Sequence, residues 1–164
     1  MAAPTPTARV TPTGIPLETG HSTLFTISLD TNISFWEKTP KPAGIDNGDK
    51  IPTTTHHNTT WRTFAPRPLL EMTDATVVAA YDPIVHDELV AIIGKRKLGS
   101  TACVITEKYP DASTLCYYGY VKSAEKSDNV EENQPELTVT IVVTNWDPIN
   151  SVEASPVLTN VSGT

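Results

Sequence analysis

Two stretches, Ser113-Thr-Leu-Cys-Tyr-Tyr-Gly-Tyr-Val-Lys-Ser123 and Glu136-Leu-Thr-Val-Thr-Ile-Val-Val-Thr144, decide the fold. Their alternating pattern has a period of two residues, which is typical of strands with one buried face and one solvated face. β-branched residues fill most of the second stretch and favour a strand over a helix. The sequence therefore predicts a long antiparallel hairpin at the centre of a sheet. In the second stretch Leu137, Val139, Ile141 and Val143 fall on one face, and in the first stretch Leu115, Tyr117, Gly119 and Val121 alternate against Cys116, Tyr118, Tyr120 and Lys122.

Length and composition fit one β-rich domain. The chain has 164 residues, enough for a single domain with a sizeable core. Its net charge is −7, and its one compact basic cluster is Lys95-Arg96-Lys97. A protein that grips nucleic acid by its phosphates needs a basic surface stripe. Specific nucleic-acid binding is therefore not expected.

Neither a membrane anchor nor a secretory signal is predicted. No apolar run approaches the ~20 residues that a membrane span requires, and the N-terminus lacks a basic start followed by an apolar segment. Synthesis in the cytoplasm is the expectation. With a turn over Tyr109–Ala112, Cys103 would lie opposite Tyr118, and the thiols of Cys103 and Cys116 would share one face as free, buried groups.

The chain divides into an extended, proline-rich N-terminal arm (1–20), a single β domain (21–147) and a C-terminal tail (148–164). Strands are predicted over 21–29, 33–36, 53–63, 75–81 and 100–106, with a long polar loop over 38–50. One helix is predicted over about 83–93. Asp82 would cap it, Pro83 would begin it and Gly94 would end it. Its apolar stripe comprises Val85, Leu89, Ile92 and Ile93.

No pattern indicates an enzyme, a metal site or a cofactor. His56 and His57 are adjacent, so on a strand they would point to opposite faces, and no third ligand is spaced nearby. The run Asp46-Asn-Gly-Asp49 lacks the spaced oxygen ligands and closing glutamate of a calcium loop, so a turn is the better interpretation. There is no glycine-rich phosphate loop and no nucleophile elbow.

Several runs resemble the tail tube (major tail) proteins of long-tailed bacteriophages, over roughly residues 14–148. These runs are Tyr117-Tyr-Gly-Tyr-Val-Lys-Ser123, Glu132-Asn-Gln-Pro-Glu-Leu-Thr-Val-Thr-Ile141, Thr144-Asn-Trp-Asp-Pro148, Gly14-Ile-Pro-Leu-Glu-Thr-Gly20 and Asn58-Thr-Thr-Trp-Arg62. The resemblance implies a mainly β fold, an antiparallel β-sandwich or barrel with one flanking helix and extended terminal arms.

The resemblance also implies a role. Subunits of this family form rings, usually hexameric, that stack into a hollow tube, and genomic DNA leaves the virion through it. The implied partners are further copies of the chain and other tail proteins (tape measure, terminator and distal tail), in a virion assembled in the bacterial cytoplasm. DNA would pass without specific binding. Whether the tail is contractile stays open.

Two sets of residues are predicted to serve that role. Acidic walls would repel the phosphates of passing DNA. The predicted lumen or rim residues are Asp111, Glu125, Asp128, Glu131 and Glu132, of which the last four lie in an acidic loop over 125–135. The predicted subunit or ring contacts are Trp36, Lys38, Lys41, Asp46, Asp49 and Trp61.

A stand-alone β-sandwich module, which binds carbohydrate or decorates a virion, would share the strand pattern and the exposed aromatic residues. A small hydrolase would need a convergent polar site, and the sequence offers none. Assembly separates these classes, because only heterologous contacts that do not close build an open-ended filament.

Overall fold

The computed structural model describes residues 23–29, 32–96, 103–128 and 133–159. The N-terminal arm and the last five residues lie outside these ranges. The early strands are β1 (Leu24–Ser28), β2 (Asn32–Ser34), β3 (Glu37–Lys41), β4 (Ile45–Asp46), β5 (Ile51–Pro52), β6 (Phe64–Ala65), β7 (Glu71–Met72) and β8 (Ala75–Ala80). Helix α1 (Pro83–Arg96) follows, then β9 (Cys103–Lys108), β10 (Thr114–Lys126), β11 (Glu136–Val143), β12 (Trp146–Asp147), β13 (Val152–Glu153) and β14 (Val157–Thr159).

The main sheet is antiparallel and runs in the order β2-β1-β9-β10-β11-β8-β3. Its two edge strands, β2 and β3, are consecutive in the chain, separated only by Phe35 and Trp36. The segment 32–41 therefore pairs with β1 at one end and with β8 at the other. Along the seam, the backbone N–H of Phe25 donates to Glu37 Oε1 at 2.8 Å. This single segment closes the sheet into a barrel.

The core fills the inner face of this barrel, as the alternation of apolar residues predicts. Leu137, Val139 and Ile141 on β11 are fully buried, and Tyr117 and Val121 on β10 are nearly so. The buried residues contributed by β1, β8, β9 and α1 are Phe25, Ile27, Ala75, Val77, Ala79, Cys103, Ile105 and Leu89. The predicted fold class, a mainly β antiparallel barrel with one flanking helix, is confirmed.

Strand β10 is the longest element and bends between two partners. Its first half pairs with β9 and its second half pairs with β11, and Gly119 pairs with both Cys103 and Val143. Further along, Val121 pairs with Ile141 but Ser123 pairs with Thr140, so the residue between them, Lys122, is a bulge. A bulge increases local twist, which helps a long strand to bend around a barrel.

The turn between β9 and β10 contains one residue more than predicted. Tyr109 pairs with Ser113 through the bond from Tyr109 N–H to Ser113 O, 2.9 Å, and Ala112 adopts a positive φ of 65°. The register therefore shifts by one, and Cys103 lies opposite Gly119 instead of Tyr118. The prediction that the two thiols share a face is wrong: Cys103 is buried, whereas Cys116 is half-buried and lies 3.5 Å from the hydroxyl of Thr106.

Helix α1 begins as predicted and ends later. Asp82 Oδ1 accepts the N–H of Ile84 at 2.9 Å, which caps the first turn. Leu89 is fully buried, and Val85, Ile92 and Ile93 pack beside it. Gly94, predicted to end the helix, lies inside it. A single glycine costs a helix only about 1 kcal/mol relative to alanine, so it does not have to stop one.

Two predictions for residues 38–63 are wrong. Lys38–Lys41 is not loop but forms most of β3, where it pairs with β8 at the edge of the sheet. A proline is tolerated there because an edge strand leaves one side of its backbone unpaired. Conversely, residues 53–63 are not a strand but the loop that connects β5 to β6.

Candidate assembly interface

Between β3 and β8 the chain forms a long hairpin, residues 42–74, which we call the β-arm. Two short ladders build it: β4 pairs with β7, and β5 pairs with β6. Because β3 and β8 also pair with each other, the β-arm continues a hairpin that starts in the barrel. Strands on the two sides of its tip pair with each other, so the β-arm is an ordered projection from the barrel.

Local contacts hold the β-arm in shape. At the tip, the N–H of Thr53 donates to the carbonyl of Thr63 at 2.9 Å. Lower down, Lys50 Nζ lies 4.0 Å from the centre of the Phe64 ring, a cation–π contact. Arg67 Nε donates to the carbonyl of Asp49 at 3.0 Å. These contacts fix the two sides of the β-arm to one another.

The β-arm exposes large apolar side chains. Trp61 is 80% exposed, and Leu69 and Leu70 are 79% and 67% exposed. Ile51, Arg67, Pro68, Leu69 and Leu70 line an open groove along one side. Contiguous exposed apolar surface marks sites where proteins bind one another. This projection is therefore the strongest candidate interface in the described part of the chain.

The predicted interface residues fall into two places. Asp46 and Asp49 lie on the outgoing side of the β-arm, and Trp61 lies near its tip. Trp36, which is 76% exposed, lies on the segment that closes the barrel. Lys38 is the bulge of β3, and its ammonium group forms an ion pair with Glu136 at 3.1 Å, while Lys41 ends the same strand. Their role in contacts between subunits remains a prediction.

The predicted acidic residues do not lie together. Asp111 is in the turn before β10, whereas Glu125 pairs with Thr138 near the far end of that 13-residue strand. At ~3.3 Å per residue, the path along this strand from one end to the other is about 40 Å long. Asp128 is exposed beyond β10. Glu125 lies within β10, so it belongs to the strand and not to the predicted loop. Glu131 and Glu132 lie outside the described residues.

Asp111 also has a structural role. Its Oδ1 accepts the backbone N–H of Ser113 at 2.9 Å and the hydroxyl of Ser113 at 2.6 Å. These bonds favour the charged form, so they lower the pKa of the Asp111 carboxyl below its usual value. The side chain thus stabilises the turn in which Ala112 has its positive φ.

Glu107 on β9 is a buried carboxylate that sequence reasoning missed. Its side chain is 0% exposed. Oε1 accepts the hydroxyl of Tyr117 at 2.6 Å and the backbone N–H of Ala43 at 3.1 Å, and Oε2 accepts the hydroxyl of Tyr109 at 2.8 Å. The alternation of Cys103, Ile105 and Glu107 could have placed it inward, but the predicted strand ended one residue too early.

Burial and the nearby carboxylate act on both tyrosines. The pKa values of Tyr117 and Tyr109 are raised, first by burial and then by the charge of Glu107 and its hydrogen bonds. Both phenols therefore keep their protons and act as donors to Glu107. No reactive group results from this arrangement.

The C-terminal segment forms a second exposed apolar surface. Strand β14 pairs with the start of β10, at Thr114–Cys116. Its side chains Val157 and Leu158 are 60% and 58% exposed, and Ile149 in the preceding turn is 82% exposed. This surface lies at the same end of β10 as the turn that holds Asp111.

Other kinds of site were searched for within the described ranges. No cluster of three or more His, Cys, Asp or Glu side chains that could hold a metal ion occurs there. His56 and His57 are exposed at the tip of the β-arm. No helix in the described part of the chain is long and apolar enough to cross a membrane.

A closed antiparallel barrel with one helix and a projecting hairpin is the fold of tail tube proteins. A chain of the anti-feeding prophage baseplate, determined with six-fold symmetry, aligns with 91% of this chain and 99% of its own length, with a TM-score of 0.66 and 6% identity. A chain of the sheath-tube complex of an extracellular contractile injection system (PVC) covers 92% and 94%, with a TM-score of 0.64 and 16% identity.

A chain from the tail of an empty gene transfer agent particle, determined by helical refinement with C6 symmetry, covers 87% and 98%, with a TM-score of 0.61 and 9% identity. Comparison with protein-family models and with curated protein sequences gives no match. The resemblance drawn from the sequence is thus confirmed at the level of the fold.

Proposed function

We propose that this chain is a structural subunit that assembles into stacked rings, with six subunits in each ring, and that the rings form the hollow tube of a phage-type tail. One observation carries the proposal. The fold matches chains of six-fold symmetric tail assemblies over nearly the whole length of both partners. Almost nothing of either chain is left over to supply a different activity.

The surface of the isolated subunit supports this proposal. Trp36, Trp61, Leu69 and Leu70 are all more than 60% exposed. Each would gain roughly 1.5–3 kcal/mol from full burial in a contact between subunits. Assembly gives these side chains a partner. In this proposal the β-arm contacts the neighbouring ring, and the C-terminal segment contributes a second contact.

The partners of such a subunit are other copies of itself and the proteins that start, measure and end the tail. Its place is the virion, and DNA passes through the tube without specific binding. The net charge of −7 fits a conduit that repels phosphates. This role is structural and requires no catalytic site.

We place Glu125 and Asp128 at a rim or wall of the tube, where their charges act on passing DNA. Changing both to lysine should slow DNA ejection from virions while leaving tube length unchanged, because attraction replaces repulsion. Asp111 is unsuitable for this test because its carboxylate holds the turn at Ser113. The matched control changes Asp87 and Glu88, on helix α1 and outside the β-arm, to lysine. An unaltered ejection rate in the Glu125/Asp128 variant would contradict the placement.

The alternative, a stand-alone β-sandwich module that binds carbohydrate or decorates a virion, predicts a different assembly. A closed oligomer has a fixed size at all concentrations, whereas open-ended stacking grows with concentration. Sedimentation velocity of the untagged protein over a concentration series separates these cases. We expect a species of ring size that gives way to a broad, fast-sedimenting population. A single small species at every concentration would favour the alternative.

A further inference from the structure

We propose that Glu107 is a positioning residue: its buried carboxylate fixes the direction in which the β-arm leaves the barrel. The inference concerns the subunit itself, and only its consequence for assembly rests on the function proposed above. It follows from where the β-arm is buried, from what Glu107 binds and from which elements hold Glu107 in place.

The β-arm touches the core only at its root. Ala43 on the outgoing side and Met72 on the returning side are each 7% exposed and belong to the core. Next to these residues the two sides bind each other, since Gly44 N–H donates to Thr73 Oγ1 at 2.9 Å and Thr73 N–H donates to Gly44 O at 2.8 Å. Beyond the root, nearly all the side chains are exposed.

At this root Glu107 makes the one side-chain hydrogen bond between the β-arm and the barrel that the described residues contain. Its Oε1 accepts the N–H of Ala43 at 3.1 Å. Ala43 lies two residues after the end of β3, so this bond holds the chain where it turns from the sheet into the β-arm. Without an acceptor, a buried N–H group destabilises the folded state.

The carboxylate cannot easily move, because three elements hold it. Glu107 itself is on β9, Tyr117 is on β10 and Tyr109 begins the turn between these strands. The two phenol hydroxyls donate to different oxygen atoms, at 2.6 and 2.8 Å. The shorter of these is in the range of charge-assisted O–H···O⁻ bonds. The two tyrosine hydrogen bonds therefore fix the plane of the carboxylate independently of its bond to the Ala43 N–H.

Within the described part of the chain, no cation pairs with the buried Glu107 carboxylate. The ion pair in the described part of the chain joins Lys38 to Glu136, both at the surface. Removal of a carboxylate from water is costly, and here only three hydrogen bonds offset that cost. An apolar residue of similar size would fill the same space without this desolvation cost. A carboxylate at this position is therefore better explained by the acceptor that it offers to Ala43.

The test compares hydrogen exchange of two variants that differ only in acceptor capacity. Glu107→Met fills the space without an acceptor, whereas Glu107→Gln keeps one carbonyl oxygen for Ala43 and Tyr117. Amide exchange is followed by mass spectrometry on unassembled subunits over residues 42–46 and 71–74. In Glu107→Met we expect exchange there to rise about tenfold, the effect of losing a hydrogen bond of about 1.4 kcal/mol. Glu107→Gln should lie close to the wild type.

Leu137→Ala is the matched control. Leu137 is fully buried and pairs with Ala79, at the end of β8 that lies away from the β-arm. The Leu137→Ala substitution should lower the stability of the barrel without a selective effect on amide exchange at the root of the β-arm. If Glu107→Met does not fold, Tyr109→Phe removes one donor that holds the carboxylate, and we expect a smaller selective rise at the root.

Exchange at the root that is unchanged in both Glu107→Met and Tyr109→Phe would overturn the inference. So would an equal rise in Leu137→Ala. Because exchange is measured on single subunits, these outcomes are independent of whether the protein forms tubes. A selective rise in a protein that never assembles would support the role of Glu107 and contradict the proposed function.

Discussion

Gly119 lies where β10 passes from pairing with β9 to pairing with β11. A Cβ atom at this position would lie 2.8 Å from the carbonyl oxygen of Val142 and 3.3 Å from the Ile105 side chain. Because the first of these atoms belongs to the backbone of a paired strand, it cannot move aside cheaply. We expect Gly119→Ala to lower the free energy of unfolding by about 1–3 kcal/mol, measured by chemical denaturation.

Gly94 is the matched control for this substitution. It lies in α1, and an added Cβ would meet nothing within 4 Å. Gly94→Ala should therefore stabilise the protein by roughly 0.5–1 kcal/mol, because alanine favours a helix. Equal effects of Gly119→Ala and Gly94→Ala on the free energy of unfolding would show that the close approach at Gly119 does not exclude a side chain there.

Asp111 gives a prediction of pH dependence. Its pKa is lowered in the folded state by the Ser113 bonds, so its contribution to stability is complete above the unfolded pKa of about 4 and is lost as pH falls through the folded value. The advantage of the wild type over Asp111→Asn in urea midpoint should therefore be largest near neutral pH and vanish in acid. An advantage of the wild type that does not change between neutral and acidic pH would contradict this role of the Asp111 carboxylate.

Residue patterns predicted the two-residue alternation of the central strands but not the turn at Ala112. Proline at the second position indicated a turn, and a turn is present. The positive φ of Ala112, which adds a residue to the loop, has no signature in an alanine side chain, because glycine or asparagine usually occupies such a site. The extra loop residue shifts the register of β9 against β10 by one, which places Cys103 and Cys116 on opposite faces.

The β-arm is the element that the sequence described least well. The predicted loop over 38–50 covers β3 and the outgoing side of the β-arm, but the strands of this region were missed. β4 to β7 have only two residues each, too few for a two-residue period to be recognised. The pairing between them is set by β3 and β8, which lie about 30 residues apart in the sequence, and no local pattern encodes it.

Trp61 tests the proposed role of the β-arm. It is 80% exposed and near the tip, so Trp61→Ala should leave the thermal unfolding midpoint of the subunit unchanged within a few degrees. In the assembled tube it should raise the critical concentration for stacking at least tenfold, since buried tryptophans at interfaces commonly contribute 2 kcal/mol or more. Turbidity or sedimentation against protein concentration measures this value.

Ile84→Ala is the control for Trp61→Ala. Ile84 is 71% exposed on α1, outside the β-arm, and its loss removes a comparable exposed apolar side chain. Its critical concentration should remain that of the wild type. Stacking that is weakened only by Ile84→Ala would move the contact between rings from the β-arm to the helix.

At the scale of the whole molecule, the sequence predicted a mainly β domain with one helix, and the barrel agrees. The way in which the barrel closes was not predictable, because it depends on one segment, 32–41, that changes partner from β1 to β8 at Phe35 and Trp36. Closure leaves Trp36 exposed on the outside, and it directs β3 into the β-arm. The candidate interface is therefore a consequence of how the sheet closes.

The measurement that tests the account most directly is electron microscopy of the purified, untagged protein in negative stain, over a range of concentrations. The account predicts rings with six-fold symmetry at low concentration and hollow tubes of constant diameter at high concentration. Particles that remain dispersed and of single-subunit size at the highest concentration, also after tail-initiating proteins are added, would contradict it.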